Sequence, residues 1–197
     1  IMTELNFVEG GYWATQWWYN IPPIGTPPAE FDFLYDSLAT DLNCDPGTLH
    51  LFPNNFDANY FMASIKAQNN SYNEAKDYME KANSINPNLP ELNNNLGLVY
   101  LNLNEIEKAI KYFQKAISLN KNYLLAYTNL GMAYVSIKKV AEAKENYLKA
   151  IEINPENLLA NYNLANLLKR LGDHKNSEKF FKKAIEIDPN HLPSYNN

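Results

Sequence analysis

Three asparagines, Asn95, Asn129 and Asn163, recur at intervals of 34 residues. A carboxamide carries a donor and an acceptor together, so it can pair with both the C=O and the N–H of one passing peptide unit. Three such groups in register can hold an extended backbone without reading its side chains. They can equally satisfy backbone of their own chain, and both readings stand at this point. A second cluster lies near the start: Tyr12, Trp13, Trp17, Trp18 and Tyr19, with Glu9 and Glu30 nearby. Flat aromatic faces beside carboxylates suit sugar stacking, and they also suit a small core or an interface anchor. Asp41, Asp45 and His50 fit no metal-ligand spacing, and His174 and His191 have no partner cluster. Cys44, the one cysteine, excludes an intrachain disulfide and any Cys-based zinc site. No phosphate loop, zinc motif or nucleophile elbow occurs. The expectation is therefore no catalytic residue, no metal and no cofactor.

Charge divides the 197 residues sharply. Residues 1–65 carry eight carboxylates and no Lys or Arg, whereas residues 66–197 carry fourteen carboxylates and seventeen basic groups, for a net −5 overall. That balance argues against a nucleic-acid binder, which needs a dense Lys/Arg face. No apolar run is long enough to span a membrane, and no basic n-region opens the sequence, so a cytoplasmic location is expected.

The elements that place the three asparagines follow from the period. With Phe56, Pro90, Leu124 and Leu158 as position 1 of four units, position 8 reads Ala63, Gly97, Gly131 and Ala165. Position 20 reads Ala75, Ala109, Ala143 and Ser177; position 24 reads Met79, Phe113, Tyr147 and Phe181; position 27 is alanine throughout. Each unit carries two apolar stripes at helical spacing, broken near position 15. Small residues at 8 and 20 let two helices approach closely, and alanine at 27 lets the second helix pack on the next unit. Proline at position 32 (Pro87, Pro155, Pro189) ends each pair, because it lacks an N–H and its ring clashes with the preceding turn.

The pattern resembles the tetratricopeptide repeat over residues 56–191, most faithfully at Asn95, Leu96, Gly97, Tyr100, Ala109, Phe113 and Ala116. It departs from it at position 4, where Asn59, Asn93 and Asn161 replace the family's aromatic and only Tyr127 conforms. Lys66 stands for the aromatic at position 11, so the first unit is the least typical. Lys121 stands for proline at 32, which predicts a looser joint between the second and third units. The resemblance implies an all-α fold: a right-handed superhelical solenoid of antiparallel helix pairs, whose first helices line a concave peptide-binding groove. The groove residues it implies are Asn95, Asn129 and Asn163 with Asn94, Thr128, Tyr162, Asn166, Lys169 and Arg170. The amides look like the asparagine ladder of the repeat superhelix in O-linked N-acetylglucosamine transferase. The lysine at position 5 and asparagine at 9 by which chaperone-binding members clamp a C-terminal carboxylate are not reproduced. Lys169 and Arg170 are the cations available to an acidic ligand group.

The organisation expected is an aromatic, acidic segment over 1–52 with one helix at 29–42. An array over 53–197 follows, with units 56–89, 90–123, 124–157 and 158–191 and a partial unit at 192–197. The leading function is a scaffold or adaptor that binds a protein or peptide partner, with no nucleic acid and no membrane insertion. Two alternatives remain: a substrate-recruiting arm of a larger enzyme, glycosyltransferase- or sulfotransferase-like, of which this chain is a fragment, and a glycan-binding head at 1–52. A terminal repeat with no capping helix buries its face on something, so homo-oligomerisation through the C-terminal end is also expected.

Overall fold

The structure is a computed structural model that describes residues 55–189. The expectations for residues 1–52, including the helix at 29–42 and the glycan-binding aromatics, and for 192–197, lie outside the described residues. Within them the chain forms eight α-helices and no strand: α1 (Phe56–Gln68), α2 (Tyr72–Ile85), α3 (Pro90–Asn102), α4 (Ile106–Leu119), α5 (Leu124–Ser136), α6 (Val140–Ile153), α7 (Leu158–Arg170) and α8 (His174–Ile187). Each unit is an antiparallel pair, and the pairs stack into a solenoid.

The break within every pair falls where the pattern placed it. Asn70, Asn104, Lys138 and Gly172, all at position 15, have φ of 59°, 61°, 60° and 79°. Around each, the N–H of position 16 donates to the carbonyl of position 11, as in Ser71 to Lys66 (2.8 Å) and Asp173 to Leu168 (3.0 Å). The N–H of position 15 donates to the carbonyl of position 12, as in Asn104 to Leu101 (3.0 Å). These two bonds satisfy carbonyls that a helix end leaves open, and they require a left-handed residue. Asn and Gly adopt that conformation readily; for Lys138 it costs about 1–2 kcal/mol.

The pairs close tightly because position 8 has almost no side chain. A Cβ on Gly97 would lie 2.6 Å from the Phe113 ring, and one on Gly131 would lie 2.5 Å from the Tyr147 ring. Ala63, Ala165 and the alanines at positions 20 and 27 are completely buried. In the fourth pair Ser177 fills position 20 and donates its hydroxyl to the Ala165 carbonyl at 2.9 Å.

Asparagine in place of the position-4 aromatic has a specific use. Asn93 Nδ2 donates to the carbonyls of Pro87 (2.9 Å) and Leu89 (2.7 Å), and Asn161 Nδ2 to those of Pro155 (3.0 Å) and Asn157 (2.8 Å). The amide ties the entering helix to the turn before it. Where Lys121 replaces proline, Tyr127 replaces asparagine, so both halves of this tie change together. That joint still keeps its turn, through Asn120 Oδ1 accepting from the Asn122 N–H at 2.9 Å, as Asn154 Oδ1 does from Glu156. In the atypical first unit, Lys66 reaches across its pair to Glu74 at 2.7 Å.

First helices pack on one another, α3 on α5 and α5 on α7, more than second helices do, so they form the inner side of the stack. Two apolar clusters run through it. One spans the first two pairs and reaches Leu130 and Ala133, the other joins Ala143 and Tyr147 to Leu164, Leu167 and Leu168, and Tyr134 packs against both.

Two outcomes are expected. Gly97→Ala loses about 1–2 kcal/mol in urea unfolding, because overpacking against Phe113 outweighs the gain in helix propensity. Burial raises the Tyr147 pKa from 10.0 to about 12. The unfolded chain therefore releases the phenol proton first, and this contribution to stability, complete below pH 10, is lost as pH rises toward 12. Alkaline unfolding followed by circular dichroism reads this, and Tyr147→Phe makes the decline shallower.

Candidate peptide-binding face

The inner side is built from residues of α1, α3, α5 and α7, and its polar groups are largely engaged with one another. Asn129 Nδ2 donates to Asn94 Oδ1 at 2.8 Å, Asn94 Nδ2 to Asn95 Oδ1 at 3.3 Å, and Asn95 Nδ2 to the Tyr60 hydroxyl at 2.6 Å. One hydrogen-bonded chain thus crosses three pairs. Its rule is simple: the amide at position 6 donates to the side chain at position 5 of the preceding pair, 35 residues earlier.

By that rule Asn163 would donate to Thr128. It does not; the Thr128 hydroxyl is turned to its own helix, where it donates to the Leu124 carbonyl at 3.1 Å. Asn163 Nδ2 is buried and has no hydrogen-bond partner among the described residues. The third amide of the series therefore differs from the first two in carrying a donor with no partner among the described residues.

The expectation that position 5 faces an open groove meets a different placement. Asn94 is 2% exposed and Thr128 fully buried, since the close approach of successive first helices covers that position. Asn129 is buried as well, while Asn95, Asn163 and Tyr162 are half-buried. Tyr162 meets Phe181 edge-on, with ring centroids 5.9 Å apart. Asn166, half-buried, donates to the Tyr162 carbonyl at 3.1 Å. Lys169 and Arg170 are exposed at the end of α7. Between the amides, Leu98 and Met132 at position 9 are half-buried and give the face apolar ground.

A second polar link sits outside the inner face. Tyr100 at position 11 donates to the Glu80 carboxylate at position 25 of the preceding pair, and Gln114 donates to the Tyr134 hydroxyl at 3.3 Å in the same register. Burial, and then Glu80, push the Tyr100 pKa well above the ordinary phenol range. Its ring stacks on Tyr112 at 5.4 Å, with Lys108 Nζ 5.0 Å from its centroid. Reading positions 5 and 6 as ligand contacts left out this use of them; the signal was the recurring interval of 35 between a polar position 5 and Asn at position 6. Among the described residues there is no group of three His, Cys, Asp or Glu able to hold a metal, and no helix long and apolar enough to cross a membrane.

Family models of the tetratricopeptide repeat match residues 56–89, 90–123, 125–157 and 158–191. The chain belongs to the tetratricopeptide repeat family. No curated protein matches the sequence. Similar solved structures are tetratricopeptide arrays. The crystal structure of MamA is 24% identical, with 86% of this chain and 99% of that one covered and a TM-score of 0.70. YrrB, described as a tetratricopeptide protein with an unusual peptide-binding site, is 26% identical over 83% of this chain and 84% of its own, with a TM-score of 0.67. The first tetratricopeptide domain of Spaghetti, solved with an HSP90 peptide, is 26% identical over 59% of this chain and 93% of its own, at 0.57. The shared solenoid is that of a protein-interaction scaffold.

In this array the two internal amides and the unpaired one separate by substitution. Asn129→Ala leaves the buried Asn94 Oδ1 without its donor and lowers stability by about 1–3 kcal/mol. Asn163→Ala breaks no bond and is close to neutral. Thermal unfolding of the two variants side by side reads the difference.

Proposed function

We propose that the inner face binds an extended peptide or a short helix of a protein partner, centred on the third and fourth repeats. The observation that carries this reading is the buried, unpaired Asn163 Nδ2. A buried donor left without a partner is costly; the residue as a whole is half-buried, so a turn of its amide brings Nδ2 to the inner face, where a ligand carbonyl relieves that cost. Met132, one repeat before it, supplies apolar ground for the ligand, with Leu98 one repeat farther back, and Asn166 and Tyr162 border it. Asn95, Asn129, Asn94 and Thr128 act behind the surface: the three amides by holding successive first helices in register, Thr128 by closing onto its own helix.

The peptide-bound Spaghetti domain and the peptide-binding site of YrrB support this use of the scaffold. The ligand class differs from a chaperone tail, because position 5 holds Tyr60, Asn94, Thr128 and Tyr162 where that clamp needs a lysine. Affinity capture with the full chain, followed by crosslinking, identifies the partner segment. Asn163→Ala is then expected to weaken that segment's binding about tenfold with the melting temperature unchanged. Unchanged affinity would overturn the reading.

A further inference from the structure

We propose a second docking point, at the edge of the array, for an internal Leu or Ile of a partner protein flanked by Asp or Glu. A hollow of about 130 Å³ opens between the α5–α6 turn and the end of α7. Val135, Val140, Leu167 and Leu171 form its apolar walls, and Lys138 and Arg170 stand on its rim. Apolar cavities of about this size accommodate a group as large as benzene, so one branched aliphatic side chain fits.

The hollow comes from a change of sequence at fixed register. Positions 12 and 17 are Leu101 and Ile106 in the second repeat but Val135 and Val140 in the third, each shorter by one methylene. In the first repeat the two positions are Ala67 and Tyr72, a smaller group beside a larger one. Position 14 of the next repeat is half-buried as Leu103 and Ile137, whereas Leu171 is 51% exposed. In the last described repeat this side chain is left open to solvent beside the hollow.

The rim changes at the same joint. Positions 15 and 13 are Asn70 with Asn102 at the first joint and Asn104 with Ser136 at the second, all neutral; here they are Lys138 and Arg170. Lys138 occupies a left-handed conformation that Asn or Gly would adopt without strain. Neither cation belongs to an ion pair among the described residues. The neighbouring carboxylate, Asp173, is engaged by Asn176, whose Nδ2 lies 2.8 Å from Asp173 Oδ2. Two uncommitted cations over an apolar hollow complement an aliphatic side chain with a carboxylate beside it, and the guanidinium of Arg170 can grip that carboxylate with two parallel bonds.

The test uses isotopically labelled full chain and end-blocked peptides with Glu-Leu-Glu, Gln-Leu-Gln or Glu-Ala-Glu at their centre, at about 1 mM, where affinities of this order are readable. Glu-Leu-Glu is expected to shift the backbone amides of Lys138, Val140, Arg170 and Leu171, and each control peptide to bind about tenfold more weakly. Lys138→Asn and Arg170→Gln each weaken it severalfold, and Val135→Leu with Val140→Ile, which restores the filling of the preceding joint, abolishes it. Equal binding of Gln-Leu-Gln, full binding by the filled variant, or no shift at these amides overturns the proposal. Shifts at Asn95 and Met132 instead would place the peptide on the inner face, so the two readings fail separately.

Discussion

The whole solenoid hangs on the distance between the two helices of a pair. Gly97 and Gly131 let an aromatic ring lie directly on helix backbone, at a spacing that a single methyl group would violate. Once the pair is that close, only small side chains fit at positions 20 and 27, and the alanines there are fully buried. The larger side chains then turn outward along the stack and become the surface onto which the next pair packs. Interiors packed at crystal density transmit such a constraint from one contact to the next, so the period of 34 is preserved without insertion through all four units.

Polar side chains then decide how each pair sits on its neighbour. Apolar contact is non-directional; a hydrogen bond is not. The Asn129–Asn94–Asn95–Tyr60 chain on the inner side and the Tyr100–Glu80 and Gln114–Tyr134 links elsewhere hold the first three pairs at two separated points per joint. A fully satisfied buried network fixes one arrangement among many that would bury similar area.

Much of this was legible in the residues. The period, the small position 8, the aromatic position 24 and the break at position 15 all follow from side-chain size and helical spacing, and the eight helices lie where those positions put them. The inner face was harder to read. Asparagine at position 6 looks the same whether it meets a ligand or the preceding repeat, and only the curvature of the stack brings Asn129 to Asn94. Asn93 and Asn161 looked like the loss of a family aromatic, yet they hold the turn carbonyls. The edge hollow was invisible for another reason: it is made by two missing methylenes, and Val135 and Val140 are unremarkable until set beside Leu101 and Ile106.

The last joint departs from the others. Asn163 makes no bond to Thr128, and the outer positions 11 and 25 are Leu168 and Leu148, whose side chains carry no hydrogen-bonding group. The fourth pair is therefore seated through the apolar cluster of Leu164, Leu167 and Leu168 and the Asn161 tie to the turn. The orientation of the fourth pair on the third is thus set mainly by the shapes of the apolar side chains at their joint, since apolar contact is non-directional.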